Sequence, residues 1–202
     1  IYNSNNGDKT GAVTLVKTDI TANASSRTIV ENAGNMTLVD SNVTDNTAPV
    51  SIQNSAGASL TVVAQNDDVV EIANKSSDNE AAAIENSGTL NFSAAADKSI
   101  TVADSITASS NTSVVNINGN YNNAAMAGTV NLAAVSGGTV NVLNGIANLG
   151  DTNGNNLSNA VLNVSNGAAN VKGNVSVSSI KTTGGTATVT GAVDGSTVSA
   201  NG

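Results

Sequence analysis

IENSGTLNF, residues Ile84–Phe92, is the stretch that decides the fold. It joins an aliphatic residue, any residue, Asn and a small residue (Ile84-Glu85-Asn86-Ser87) to an apolar–polar alternation (Leu90-Asn91-Phe92). The first phrase recurs as Ile1-Tyr2-Asn3-Ser4, Val30-Glu31-Asn32-Ala33 and Ile52-Gln53-Asn54-Ser55. The second recurs a few residues after each copy, as Val13-Thr14-Leu15, Met36-Thr37-Leu38 and Leu60-Thr61-Val62. Period-two alternation turns one face of each segment inward, and segments this short between Asn, Gly and Ser do not form helices. Asp19-Ile20-Thr21-Ala22-Asn23 and Asn42-Val43-Thr44-Asp45-Asn46 add a further phrase. A unit of ~22 residues with two or three strands and bends between them matches one turn of a parallel β-helix, whose turns stack at the ~4.8 Å strand spacing.

The second half keeps the alternation and changes the words. Gly128-Thr129-Val130-Asn131-Leu132 is echoed ten residues later by Gly138-Thr139-Val140-Asn141-Val142. Leu162-Asn163-Val164, Val175-Ser176-Val177 and Ala187-Thr188-Val189 continue it. Asn-Gly pairs stand at 118–119, 144–145 and 166–167. Alone, such a pair marks a hairpin. Recurrence near the turn length favours solenoid corners, because Asn and Gly both tolerate left-handed backbone. The expected fold is therefore all-β: a single right-handed parallel β-helix, or β-solenoid, over residues 1–202. The first flavour of repeat covers 1–120 and the second 121–202, and turns of this length give roughly eight to ten coils.

Composition agrees with such an array. Rings are confined to Tyr2, Phe92 and Tyr121, with no Trp, so the interior must be Val, Ile, Leu and Ala. Small branched side chains suit a core repeated along an axis. Patterned β-branched residues, with Pro49 the only proline, set aside a disordered chain. Cys and His are both absent, which removes disulfides, thiolate nucleophiles, imidazole acid–base groups and most transition-metal sites. Fifteen acids against seven scattered bases give a net charge of −8, and nucleic-acid binding needs clustered cations. No run reaches the ~18 apolar residues of a membrane helix. The sequence starts at Ile1 without a signal peptide, as expected of a processed chain or a fragment.

Three stretches carry a family resemblance. AIENSGTLNFSAAADKSITVADSITAS (Ala83–Ser109) resembles coils of autotransporter passenger domains and of related bacterial polymorphic outer-membrane adhesins. GTVNLAAVSGGTVNVLNGIANLG (Gly128–Gly150) is similar to the strand-rich coils toward the membrane anchor of such passengers, and SNVTDNTAP (Ser41–Pro49) looks like one of their coil phrases. The resemblance implies a β-helical surface protein, extracellular or displayed on a bacterial cell. Two departures are the missing aromatic-rich C-terminal barrel and the missing signal peptide, so it implies an exported stalk alone.

Candidate sites are few. If the register holds, Asn3, Asn32, Asn54 and Asn86 stack as a structural ladder of hydrogen-bonded carboxamides. Asp151, Asn153 and Asn155 alternate around Gly154 like the start of a calcium loop, without its closing bidentate Glu. A polar turn is the simpler reading, and calcium is the one cofactor alternative to none. Asp67, Asp68 and Glu71, and then Asp78, Glu80 and Glu85, are the local acid clusters. Polysaccharide-cleaving enzymes use carboxylates on β-helices, but a solvated loop over Asp67–Ala82 explains these acids more simply. Rows of Thr such as Thr14 and Thr37 lack the strict repetition of an ice-binding array.

The expected function is a non-catalytic stalk or adhesin. Its alternatives are a self-assembling filament subunit and a polysaccharide-active enzyme. Expected partners are further copies of the chain, end to end or laterally, and surface glycans or proteins. Nucleic acid and membrane insertion of this segment are not expected.

Overall fold

Alternating aliphatic and small polar residues make strands, and Gly, Asn and Ser between them make bends. The computed structural model describes residues 1–6, 9–22, 28–76, 82–150, 157–176 and 178–201. Among these residues there is no helix, and so none long and apolar enough to cross a membrane. Almost every strand pairing is parallel. The exceptions are a short antiparallel ribbon, Asn5–Asn6 with Lys9–Thr10, and an isolated bridge between Tyr121 and Ala124.

The strands stack in two large sheets, a β-solenoid-like architecture. The first has fifteen strands and the second nine. The second sheet is one uninterrupted column: Ala12–Val16, Asn35–Val39, Ser59–Ala64, Thr89–Ala94, Val114–Ile117, Thr139–Val142, Val161–Val164, Ser179–Thr182 and Thr197–Ala200. The first sheet is two columns joined by two long strands, Ser99–Ala108 and Thr129–Ser136. The first half of Ser99–Ala108 pairs with Val69–Asn74 and its second half with Ala82–Asn86, and the register shifts between Val102 and Ser105. That shift bends the strand from one face to the next, which is what a β-bulge does.

The register builds the core. Leu15, Leu38, Val62, Phe92, Ile117, Val142 and Val164 stack in one file inside the second sheet, and Met36, Leu60, Leu90, Val115, Val140, Leu162 and Ile180 form the next. All of these except Leu15 are buried, and they belong to one continuous cluster with the inward residues of the first sheet. A stack of branched side chains at strand spacing fills its volume without large rings. Phe92 is the single ring within it.

One echo finds its explanation and two sequence expectations need correction. The ten-residue echo between Thr129-Val130-Asn131 and Thr139-Val140-Asn141 joins two faces rather than two turns. The two segments lie in different sheets, Thr129–Ser136 beside Ile146–Leu149 and Thr139–Val142 beside Val161–Val164. Both faces impose the same in–out alternation, so they carry the same words. The solvated loop expected over Asp67–Ala82 contains a strand instead. Val69–Asn74 pairs on both sides, with Val70 and Ile72 fully buried. Asp78 and Glu80 lie outside the described residues.

The second correction concerns the Asn-Gly pairs. Asn144-Gly145 and Asn166-Gly167 occupy equivalent corners, each two residues beyond the paired Val142 and Val164. Asn118 follows Ile117 directly and so stands out of step with them. Gly145 and Gly167 both have positive φ, 65° and 83°, and a Cβ on Gly167 would run into the Gly145 carbonyl of the turn below. Only glycine meets both demands there.

Candidate functional site

Side-chain hydrogen bonds run along the stack in three files. Inside the first sheet, Asn3 Nδ2 donates to Asn32 Oδ1, Asn32 Nδ2 to Asn54 Oδ1 and Asn54 Nδ2 to Asn86 Oδ1, each at 2.8 Å. The second N–H of each donor reaches a backbone carbonyl at the following bend: Asn35 O, Ser59 O and Thr89 O, at 3.0–3.1 Å. The four residues are buried, so their amides are satisfied by one another and by the chain they turn.

Two further ladders lie on the outside. In the second sheet, Asn116 Nδ2 donates to Asn91 Oδ1, Asn141 Nδ2 to Asn116 Oδ1 and Asn163 Nδ2 to Asn141 Oδ1, at 2.9–3.0 Å. In the first sheet, Asn148 Nδ2 donates to Asn131 Oδ1 at 2.7 Å and Asn170 Nδ2 to Asn148 Oδ1 at 3.0 Å. Asn116, Asn141 and Asn148, bonded on both sides, each keep one N–H and one carbonyl lone pair for solvent or ligand. Asn91, Asn131, Asn141 and Asn163 stand within alternating phrases of the sequence, but aligning them needs the register.

The chain between Ile117 and Thr129 leaves the stack and folds back over the second sheet. Tyr121 and Ala124 exchange backbone hydrogen bonds at 3.0 and 2.9 Å around Asn122 and Asn123, whose φ values of 48° and 62° fit a two-residue turn. Asn118 anchors the base of the excursion, accepting from Ala94 N and donating to Gly128 O. Met126 and Tyr121 then pack on Val39, Val63 and Ala95. Beside this flap lies a cleft of ≈ 280 Å³ that reaches the outer ladder at Asn91 and Asn116. Composition pointed to a change of repeat here but not to the cleft.

The acids are dispersed. Asp68 pairs with Lys98 at 2.6 Å on the surface, and this contact holds the Asp68 carboxyl below its ordinary value. Glu71 lines a shallow groove with Asp19 and Asn42, where Asn42 Nδ2 donates to Asp19 Oδ1 at 2.8 Å. Asp45 is buried, and its Oδ1 accepts from Thr47 N and Ala48 N while its Oδ2 has no partner. No three acids converge on a metal-binding point among the described residues. The calcium candidates Asp151, Asn153 and Asn155 lie outside those residues.

Asp40 serves as a clamp. It sits at a corner with φ 47°, where it accepts from Gln65 N at 2.7 Å and Asn66 N at 3.0 Å on Oδ1, and from Asn66 Nδ2 at 2.8 Å on Oδ2. Burial pushes its carboxyl up, but these hydrogen bonds outweigh burial and hold it below the ordinary 3.8. A depressed folded value means that the stabilisation is complete above 3.8 and drains away as pH falls through the folded value. Asp40→Asn, with no proton to gain, should therefore narrow its stability deficit relative to the native chain between about pH 5 and about pH 2. Urea midpoints across that range read the effect, and a constant deficit would refute it.

A comparison with protein families, curated proteins and solved structures finds no match to this chain. The site must be judged on its own geometry.

Proposed function

We propose that the chain is a non-catalytic extracellular β-solenoid, displayed on or released from a bacterial surface, where it serves as a stalk with adhesive capacity. Each circuit of three strands is one coil, wound right-handed, and roughly eight to ten coils make a rod of about 40–50 Å at the strand spacing. The observation that carries this reading is the direction of the Asn ladders. Polar side chains of the interior and of both outer faces bond along the stack, from one turn to the next. Such an arrangement resists bending and local opening, since each turn is held by backbone and side chain together. Resemblance of Ala83–Ser109 and Gly128–Gly150 to passenger coils supports the bacterial surface as its place.

Small-angle scattering with sedimentation tests the proposal. A monodisperse elongated particle is the expected result, and a compact sphere would sink it. The second reading, a filament subunit, draws on the strands that end the second sheet among the described residues, Ala12–Val16 and Thr197–Ala200. Unpaired edges recruit further strands, so rods that lengthen with concentration would favour it.

A further inference from the structure

The cleft beside the Tyr121 flap sets an aromatic ring against a polar sheet face. Tyr121 and Leu143 supply its apolar wall, and Asn91, Asn116, Thr61 and Ser93 its polar one. No charged residue lines it. Tyr2 stands exposed on the end strand of the first sheet and Phe92 lies in the core, and Tyr121 is the ring set over the second sheet.

Two polar side chains of the sheet face line the cleft beside the ring. Ser93 is 3% exposed, and its hydroxyl is not a stranded buried atom, since among the described residues only Asp45 Oδ2 is; a ligand hydroxyl can take the place of the water it meets at little cost. Asn116 is held in place from both sides by Asn91 and Asn141, so its remaining N–H and lone pair are aimed in advance. Preorganised donors bind with little further loss of entropy.

Size and charge narrow the ligand. At ≈ 280 Å³ the cleft is just below the range of ligand pockets, which run from about 300 to 1,000 Å³, so it holds one ring and not a chain. With no cation in its lining and a net charge of −8 on the protein, an acidic group is disfavoured. A pyranose has one apolar face for Tyr121 and a rim of donors and acceptors for Asn116 and Ser93.

We infer that this cleft binds a single neutral pyranose, the end residue of a glycan. The inference rests on the adhesive reading and gives it a ligand class. Saturation-transfer NMR tests it on the whole chain, with the methyl glycosides of glucose, galactose and N-acetylglucosamine as probes and glucuronate as the charged control. At least one neutral glycoside should receive saturation at millimolar concentration, and glucuronate should receive less. Tyr121→Ala should abolish the signal. Asn116→Thr places in the ladder a residue that the same file already carries at Thr61, and it should weaken binding about three- to tenfold through one lost hydrogen bond. Equal signals from native chain and both variants, or none from any neutral glycoside, would overturn the inference. A rod by scattering with no sugar signal would overturn the cleft alone and leave the stalk standing.

Discussion

Leu38→Asp is expected to destabilise the fold by about 3–5 kcal/mol, while Thr37→Asp, one residue away, costs less than about 1 kcal/mol. Leu38 is fully buried and lies in register between Leu15 and Val62. Its neighbours in the file are aliphatic, so a carboxylate there meets neither a cation nor a donor. It must stay charged in an apolar channel or take up a proton, and either choice costs stability. Thr37 stands in the same strand on the outer face, between Thr14 and Thr61, where a carboxylate keeps its water. Urea unfolding followed by far-ultraviolet circular dichroism separates the two variants. Equal losses would mean that the inward face has been assigned to the wrong residues.

The second large effect belongs to the buried ladder. Asn54→Leu keeps the volume and removes three hydrogen bonds: the one accepted from Asn32 Nδ2 and those donated to Asn86 Oδ1 and Thr89 O. Asn86 Oδ1 retains the Gly88 N–H, and Asn32 Nδ2 retains Ser59 O. The groups left short are one Asn32 N–H and, on the side-chain side, the Thr89 carbonyl. Each stranded buried polar group costs about 1–3 kcal/mol, for a loss of about 2–6 kcal/mol from the two. Asn141→Thr in the outer ladder should cost under about 1 kcal/mol, because water replaces the lost partners. The same denaturation series measures both, and a ranking with the outer position first would contradict the division between the buried ladder and the exposed ones.

Much of this structure can be read from local words, and the rest depends on register. Ile84-Glu85-Asn86-Ser87 and its copies announce a buried Asn at each bend and, in all but the first copy, a buried aliphatic residue, because an interior file tolerates only what can pair with its own copy above and below. The outer ladders use the same letters, in Leu90-Asn91-Phe92 and Thr139-Val140-Asn141. Placing them needs the length of each circuit, which ranges from 32 residues between Asn54 and Asn86 to 17 between Asn131 and Asn148. No local signal sets that length. The strand Val69–Asn74 was hidden by the acids around it, since Asp67, Asp68 and Glu71 read as solvated while Val70 and Ile72 face inward. The cleft is least legible of all. Tyr121 and Met126 reach Val39 and Val63, residues far back in the chain that are brought beneath them only by stacking.

Spin labels along one file test the stacking most directly. The chain has no cysteine, so paired cysteine substitutions report without background. Thr14 leads through Thr37, Thr61 and Asn91 to Asn116, then through Asn141 to Asn163, then through Lys181 to Ser199, one strand per step. Pulsed dipolar distances from Thr14 to Asn116, Asn163 and Ser199 should therefore rise in equal steps, to about 19, 29 and 38 Å at the strand spacing. Distances that level off or fall along the series would show strands folded back on one another, and parallel stacking would be wrong.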